Sequence, residues 1–267
     1  MTAATAPAKI NLALVIGPLR PDGLHEVATI LQRIDLADEV SVEPSHRLEV
    51  EGFAGDTLVT RALEGVAAAA GVEPAWHARI EKRIPVAAGL GGGSSDAATA
   101  LRLANDLLDE PLPRGHLARM ARGLGADVPF FLEPGPQLGT GDGSRLRRLD
   151  LPQDYGVLLL LPEGAHKDST AAVYARFDGG DGFEERHSRL VEIAERATSG
   201  LDLADLPPND LATSPLAAAI RAEGAFRADV SGAGPVVYGL FTDASRALAA
   251  ASRLTHLGRT WIAAPAW

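Results

Sequence analysis

The sequence predicts an α+β protein of two domains that meet near residue 150. Strand patterns and helix patterns occur in both halves, in an irregular order and without an internal repeat. The length of 267 residues allows two modest domains, each with its own core. Hydrophobic residues make up 46% and charged residues 22%, as in ordinary folded chains. The expected domains are residues 1–150 and 151–267.

The first predicted element is a strand in AKINLALVIG, residues 8–17. Its larger aliphatic residues alternate with Lys9, Asn11 and Ala13, as in a strand buried on one face, so Lys9 and Asn11 should share a face. The turn signal Pro-Asp-Gly follows and leads to further strands in VATILQRIDLADEVSVE. Another strand, in HARIEKRIPV, comes directly before a run of glycines.

Three helices are predicted in the first half of the chain. The segment DTLVTRALEGVAAAAGV has apolar residues at helical spacing and closes on Gly71, a residue suited to a left-handed cap. A second helix is expected at residues 97–108, after the glycines. A third should end around residues 123–125, and the turn that follows carries Asp127.

The second half continues with strands and helices. The aliphatic run at residues 157–161 predicts a fully buried strand. The glycine- and charge-rich residues 178–187 suggest a mobile loop, followed by a helix over residues 188–199. DVSGAGPVVYGLF predicts a strand, a glycine turn and a strand, and ASRALAAASRLTHLG predicts a closing helix before a last short strand.

The composition excludes several classes of protein. Lys and Arg number 25 against 35 Asp and Glu, with no long basic run, so no nucleic acid partner is expected. The absence of cysteine excludes disulfides, thiolate zinc sites and cysteine nucleophiles. The amino terminus does not resemble a signal peptide, and the longest aliphatic run is too short to span a bilayer. We therefore expect a soluble, cytoplasmic protein without a membrane partner.

A glycine-rich loop is the strongest functional signal. Residues 86–104 read VAAGLGGGSSDAATALRLA, which places four glycines and two serines directly before a helix. A helix amino terminus has unpaired amides and a partial positive charge, so this loop is expected to hold a phosphate group, with hydroxyls from Ser94 and Ser95. The alternative is a simple strand-to-helix turn, but four glycines cost more backbone entropy than such a turn requires.

Two common phosphate-binding loops do not fit these residues. A P-loop needs a lysine before its last serine or threonine, whereas Ser94 and Ser95 are followed by Asp96 and no lysine is present there. The dinucleotide fingerprint would place Ser94 where its third glycine belongs, and no acidic strand end follows at the expected distance. ATP-dependent P-loop chemistry and nicotinamide chemistry are both disfavoured.

Five motifs together resemble those of the GHMP kinases, the family named for galactokinase, homoserine kinase, mevalonate kinase and phosphomevalonate kinase. In chain order they are APAKINLAL, RPDGLHEV, KRIPVAAGLGGGSSDAA, GADVPFFL and SGAGPVVYGLF. The resemblance spans nearly the whole chain. It implies an amino-terminal domain that binds ATP and a ferredoxin-like carboxyl-terminal domain. It also implies transfer of a phosphoryl group from ATP to a hydroxyl of a cytidine diphosphate-linked polyol.

The resemblance implies that Lys9 and Asp127 are the catalytic pair. Phosphoryl transfer independently requires an aligned acceptor hydroxyl, a destination for its proton and neutralisation of phosphate charge. Asp127 suits the hydroxyl and its proton, and Lys9 suits the charge. Alone, a strand lysine is typically a solvated surface residue and an aspartate before Val-Pro a turn residue. Their presence together beside the glycine loop favours catalysis.

The resemblance also assigns ligand contacts to particular residues. Those matching the nucleotide-binding pattern are Lys82, Pro85, Val86, Ala87, Ala88, Gly89, Leu90, Gly91, Gly92, Gly93, Ser94 and Ser95. Kinases in general use Mg²⁺ across the β and γ phosphates, and Ser95 is the candidate ligand. The residues that match substrate contacts are Asn11, His25, Thr170 and Tyr174. In this pattern His25 recognises the cytosine base and the ring of Tyr174 stacks on it.

Two positions depart from the family pattern. Leu24 stands where the family usually has Tyr or Phe, which removes about 1 kcal/mol of aromatic stacking against a base. Thr57 stands where the family tends to have Asn near the adenine. Two alternatives therefore stay open: another GHMP small-molecule kinase acting on a homoserine-like or mevalonate-like acceptor, and a non-catalytic metabolite sensor. A monomer or weak homodimer is expected.

Overall fold

The computed structural model describes residues 2–53, 55, 57–165, 170–179 and 181–267, with Thr170 and Ala171 described by their backbone alone. Helices and strands alternate irregularly, which confirms the predicted α+β class. The chain folds into two compact units. The first unit contains Met1–Ala8, Leu36–Val86 and Gly91–Pro134, and the second contains Lys9–Asp35, Ala87–Leu90 and Gly135–Trp267. These units interleave along the chain, and the domain boundary near residue 150 stays a prediction.

The first unit combines three helices with short strands. Its helices are α1 (Leu58–Ala70), α2 (Gly92–Asp106) and α3 (Arg114–Leu124), which pack against one another. The end of the long strand β2 (His25–Pro44) pairs antiparallel with β4 (Trp76–Glu81), which pairs parallel with β3 (Glu49–Glu51). Pro129–Leu132 forms a 3₁₀ turn after α3. Burial of aliphatic side chains from α1 and α2 gives this unit its core, including Val59, Leu63, Val66, Ala97 and Leu101.

Two helix boundaries test the sequence predictions directly. Helix α1 ends as expected at Gly71, which adopts φ 69°. Helix α2 begins at Gly92, not at residue 97, so that expectation was wrong. Gly91 at φ 71° precedes the helix, and the amide of Ser95 donates to the Gly91 carbonyl at 2.9 Å. The last two glycines and both serines of the loop are therefore helical, because the backbone turn occurs before Gly92.

The second unit contains a four-stranded antiparallel sheet. Its strands are β7 (Gly156–Pro162), β8 (Arg227–Val230), β9 (Val237–Phe241) and β10 (Gly258–Ala263), in the order β10-β7-β9-β8. Helices α5 (Phe183–Arg196) and α6 (Pro215–Ala222) lie between β7 and β8 along the chain, and α7 (Ala244–Leu254) lies between β9 and β10. The strand order is ferredoxin-like, with α6 and α7 packed on the sheet. Their shared core includes Leu158, Leu160, Ile220, Val237, Phe241 and Leu254.

The second unit also contains most of strand β1, the first part of β2 and several short elements. Strand β1 (Thr2–Leu19) pairs with β2, and residues 27–31 of β2 pair antiparallel with β5 (Gln137–Gly141). β5 pairs with β6 (Arg145–Arg148), and β11 (Pro265–Ala266) pairs with β2. A short helix, α4, spans Thr170–Tyr174, and 3₁₀ turns span Gly200–Asp205 and Thr255–Leu257. In the part of the chain that the structure describes, no helix is long and apolar enough to cross a membrane.

Two further expectations are corrected. Strand β1 is buried on both faces, since Lys9 and Asn11 are nearly as buried as the aliphatic residues that alternate with them. Helix α5 begins at Phe183, so residues 183–187 are helical rather than part of a mobile loop; residue 180 lies outside the described residues. Glu184 and Glu185 in the first turn of α5 favour this early start, because carboxylates stabilise a helix amino terminus.

Candidate active site

The glycine loop, Pro85–Ser95, contains positive φ angles at three residues. Ala87, Gly89 and Gly91 adopt φ 55°, 83° and 71°. Gly92 and Gly93 need no such freedom because both are helical. A Cβ on Gly92 would nevertheless lie 3.1 Å from Ile84 Cγ2 and 3.3 Å from Lys82 Nζ. The glycines therefore serve two purposes: positive φ before the helix and a close approach at its start.

The part of the loop in the second unit is held by the other glycine motif, SGAGP. Ser231 Oγ donates to the carbonyl of Gly89 at 3.0 Å, and the Val236 amide donates to the carbonyl of Ala88 at 3.2 Å. A Cβ on Gly89 would lie 2.3 Å from the Ser231 carbonyl oxygen. The Lys9 amide donates to the carbonyl of Leu90 at 2.9 Å. The structure thus joins two motifs and a strand that the sequence singled out separately.

The part of the loop in the first unit is the amino terminus of α2. Amides in the first turn of a helix have no partner within the helix, and the helix dipole makes this end partially positive. Within the described residues, Ser95 Oγ and Asp96 Oδ1 are buried and make no hydrogen bond. Buried polar atoms without a partner are rare in folded proteins. This end of α2 therefore has donors and oxygens suited to a phosphate and its counterion.

Lys82 is bound between two buried carboxylates at this helix start. Its ammonium group donates to Asp38 Oδ2 and, at 2.7 Å, to Asp96 Oδ2. The other oxygen of Asp38 accepts the amides of Arg83 at 2.5 Å and Ile84 at 2.8 Å. The side chain of Asp38 is 0% exposed and that of Asp96 is 2% exposed. Asp38 therefore fixes both the lysine and the backbone that enters the glycine loop.

The pKa values of Lys82 and Asp96 are both raised in this cluster. Burial raises the pKa of Asp96 to about 7, although Lys82 acts in the opposite direction and Asp38 adds to the rise. Burial also works to lower the pKa of Lys82, but its hydrogen bonds to Asp38 and Asp96 outweigh that effect and raise the Lys82 pKa. The lysine therefore stays charged, and Asp96 takes up a proton more readily than an exposed carboxylate does.

Lys9 lies in a buried polar cluster of the second unit. Its ammonium group donates to Asn11 Oδ1 at 2.6 Å, and Asn11 Nδ2 donates to Thr29 Oγ1 at 2.8 Å. Lys9 is 4% exposed and Asn11 is 5% exposed. Gly232 of the SGAGP turn lies alongside, since a Cβ there would be 3.2 Å from Asn11 Oδ1 and 3.4 Å from Lys9 Nζ. The expectation that Lys9 and Asn11 share a face is confirmed.

Asp127 lies in the turn between α3 and the 3₁₀ turn, as the sequence predicted. It is half-buried, and the Val128 amide closes the turn by donating to the carbonyl of Gly125 at 3.2 Å. Pro129 begins the 3₁₀ turn that follows. Asp127 belongs to the first unit and Lys9 to the second. Their joint action in catalysis stays a prediction.

An aromatic cluster surrounds His25. Its Nδ1 lies 2.9 Å from the carbonyl oxygen of Gly17, so Nδ1 carries the proton and Nε2 is free of one in the neutral ring. The His25 ring lies 6.4 Å from the ring of Tyr174 and 5.5 Å, edge-on, from that of Phe177. Leu24 beside it is 52% exposed. The structure thus brings the two predicted base contacts together.

Other predicted contacts are less defined. Thr170 begins α4, but its side chain lies outside the described residues. Thr57 precedes α1 and makes no capping hydrogen bond with its side chain. Sequence reasoning missed Asp38, whose partners lie 44 to 46 residues away, and Phe177, which no motif contained. For Asp38, no local sequence pattern indicates these contacts, because the partners are distant along the chain.

Comparison with known proteins identifies the class of enzyme. A family model described as the GHMP kinases N terminal domain matches residues 57–135, and one described as GHMP kinases C terminal matches residues 186–260. The chain belongs to the GHMP kinase family, which confirms the predicted resemblance and implies the use of ATP.

Individual relatives make the comparison more specific. The 4-diphosphocytidyl-2-C-methyl-D-erythritol kinase of Streptomyces coelicolor is 39% identical, covering 90% of this chain and 88% of that protein. The enzyme of the same name from Streptomyces avermitilis is 36% identical, covering 94% and 92%. A crystal structure of 4-(cytidine 5'-diphospho)-2C-methyl-D-erythritol kinase aligns over 100% of both chains with a TM-score of 0.81 and 33% identity.

Proposed function

We propose that this protein transfers the γ-phosphoryl group of ATP to the 2-hydroxyl of 4-diphosphocytidyl-2-C-methyl-D-erythritol, a step in the non-mevalonate route to isoprenoid precursors. The observation that carries the proposal is similarity along nearly the full chain to relatives with that activity in their names, at 36–39% identity. The buried Lys9–Asn11 pair and the glycine loop support it, because phosphoryl transfer requires fixed charge and a phosphate cradle.

In the proposed reaction, the 2-hydroxyl oxygen attacks the γ-phosphorus of ATP while the bond to the bridging oxygen breaks and ADP leaves. Asp127 orients that hydroxyl and accepts its proton. Lys9 supplies positive charge near the transferred phosphoryl group, and its hydrogen bond to Asn11 at 2.6 Å supports a fixed orientation. Burial favours this role, since a charge acts more strongly in a site with little water.

The proposed nucleotide site is the glycine loop, residues 85–95, together with Lys82. The unpaired amides at the start of α2 would bind phosphate oxygens. Mg²⁺ fits the same place, because Ser95 Oγ is buried with no hydrogen bond partner among the described residues and a hydroxyl is a suitable ligand. When bound there, Mg²⁺ would neutralise charge on the β and γ phosphates. Lys82 would hold Asp96 and the start of α2 in place, rather than bind a phosphate directly with its ammonium group.

The proposed cytidine site contains His25 and Tyr174. With its proton on Nδ1, the neutral His25 ring offers Nε2 as an acceptor, which suits the amino group of cytosine. Tyr174 offers a ring face, and Leu24 offers dispersion without aromatic stacking. Asn11 and Thr170 are proposed polar contacts to the polyol. The departure at Leu24 is the specific observation that favours a second candidate, another small-molecule kinase of the same family.

A coupled assay of ADP release tests the proposal. The purified protein with ATP and Mg²⁺ is offered the cytidine substrate, homoserine, mevalonate or no acceptor, and we expect ADP formation to depend on the cytidine substrate. Removal of Mg²⁺ with a chelator should stop the reaction, because the phosphate charge is then unscreened. Activity confined to homoserine or mevalonate would select the other kinase, and tight binding without ADP would select a metabolite sensor.

A further inference from the structure

Asn209 is a buried side chain that the proposed mechanism does not use. It is 3% exposed and follows the LPP segment after the 3₁₀ turn at Gly200–Asp205. Its Nδ2 donates to the carbonyl of Val230 at 2.9 Å and to that of Gly232 at 2.7 Å. Its Oδ1 accepts the amide of Leu211 at 2.8 Å. Both amide hydrogens and the carbonyl oxygen of this side chain are therefore committed to backbone groups.

The two carbonyls that Asn209 holds belong to the turn beside Lys9. Val230 ends β8, and Gly232, at φ 57°, is the turn residue whose missing Cβ leaves room for Lys9 Nζ and Asn11 Oδ1. A Cβ at Gly232 would lie only 3.2 to 3.4 Å from those two atoms, so a shift of this turn would change the room available to the pair. The position of this turn therefore determines the space around the Lys9 ammonium group.

The same segment also holds the strand that carries Lys9. Asn209 forms a parallel bridge with Leu14, and the Asp210 amide donates to the Leu14 carbonyl at 2.9 Å. The Ile16 amide donates to Asp210 Oδ2 at 2.9 Å, and Arg186 pairs with the other oxygen of Asp210. Asn209 and Asp210 thus connect the SGAGP turn, which lies beside Lys9, to β1 at Leu14 and Ile16.

We propose that Asn209 is a positioning residue that sets the SGAGP turn against β1 and thereby fixes the Lys9 ammonium group for phosphoryl transfer. This inference rests on the proposed function, since it assigns Lys9 a role in the chemical step. This role assigns Asn209 no contact with substrate or nucleotide, because its side-chain groups bond to backbone atoms. Its loss is expected to lower kcat by about 10- to 100-fold, the effect of misplacing a catalytic group by about 1 Å, with little change in the KM for ATP.

The test is a double-mutant cycle between Asn209 and Lys9, measured as kcat in the ADP-release assay on the full chain. Asn209→Ser keeps an oxygen near the Leu211 amide but cannot reach both carbonyls. Asn209→Asp keeps the shape of the side chain and removes both hydrogen bond donors. This second variant is used if Asn209→Ser does not fold. The control is Asn105→Ser, since Asn105 is also buried and accepts the Leu112 amide at 2.8 Å.

We expect each Asn209 variant to lower kcat about 10- to 100-fold with Lys9 present but less than about threefold in a Lys9→Met background, because the positioned group is then gone. Asn105→Ser should lower the melting temperature without changing kcat. Equal losses in both backgrounds, or no loss, would overturn the inference and leave the proposed function intact. Full activity of Lys9→Met would instead reject the role given to Lys9, and only a lack of ADP formation by the unmodified protein would reject the proposed function.

Discussion

Lys9→Met and Asp127→Asn are each expected to lower kcat for the cytidine substrate by about 10²- to 10⁴-fold while the fold is retained. Met preserves the length of the Lys9 side chain and removes its charge, and Asn preserves the shape of Asp127 and removes its ability to accept a proton. The KM for ATP should change little in both variants, because the glycine loop supplies the nucleotide contacts. Steady-state ADP release with saturating ATP measures the effect.

Asp109→Asn serves as the control for this prediction. Asp109 is exposed, lies in the same unit as Asp127 and follows α2. Its substitution changes the net charge by the same amount and should leave kcat within about twofold of the unmodified protein. Undiminished turnover in both Lys9→Met and Asp127→Asn would remove the proposed mechanism, whatever the identity of the acceptor.

Asp38→Ala is expected to lower the free energy of unfolding by about 3–5 kcal/mol. The substitution removes a buried carboxylate that accepts hydrogen bonds from Lys82 and from the amides of Arg83 and Ile84. A buried amide without a partner and an ammonium group with one partner fewer both disfavour the folded state. Denaturant unfolding followed by circular dichroism measures the loss. The KM for ATP should also rise, because the chain that enters the glycine loop is no longer fixed.

The adjacent residue provides the control. Glu39 is 48% exposed and lies 3.3 Å from Arg83, so Glu39→Ala should cost less than about 1 kcal/mol. The loss of unfolding free energy in Asp38→Asn should lie between those of Asp38→Ala and Glu39→Ala. The asparagine keeps an oxygen that can accept the two amides, but it loses the negative charge. It should also lower the pKa of Asp96, since Asp38 contributes to raising it. Equal stability of Asp38→Ala and Glu39→Ala would contradict the role given to the buried carboxylate.

Local pattern was sufficient to predict several elements. Helix α1 with its cap at Gly71, strand β7 and helix α7 were all expected, because each has a clear hydrophobic period and an end signal. Three short strands, β3, β5 and β6, were missed, since they are too short to show a period. Burial of both faces of β1 was also missed, because it depends on which elements pack on it rather than on the strand itself.

In the candidate site, too, some features could be predicted from local sequence and others could not. The glycine loop and the SGAGP turn were evident from glycine density, and their contact through Ser231 and Gly89 was not. Lys9 and Asn11 were paired correctly because neighbours on one strand face lie two positions apart in the sequence. Asp38 and Asn209 could not be predicted, since their hydrogen bonds connect residues 44 and 23 positions apart, respectively. Such contacts depend on tertiary structure and leave no local pattern.

The most direct test of the central proposal is a crystal structure with a non-hydrolysable ATP analogue, Mg²⁺ and the cytidine substrate. We expect the triphosphate on the amides at the start of α2, Mg²⁺ on Ser95 Oγ, and the 2-hydroxyl within about 3 Å of the Asp127 carboxylate. Lys9 Nζ should face the γ-phosphate. Phosphates bound away from the glycine loop, or a 2-hydroxyl remote from both Lys9 and Asp127, would contradict the account.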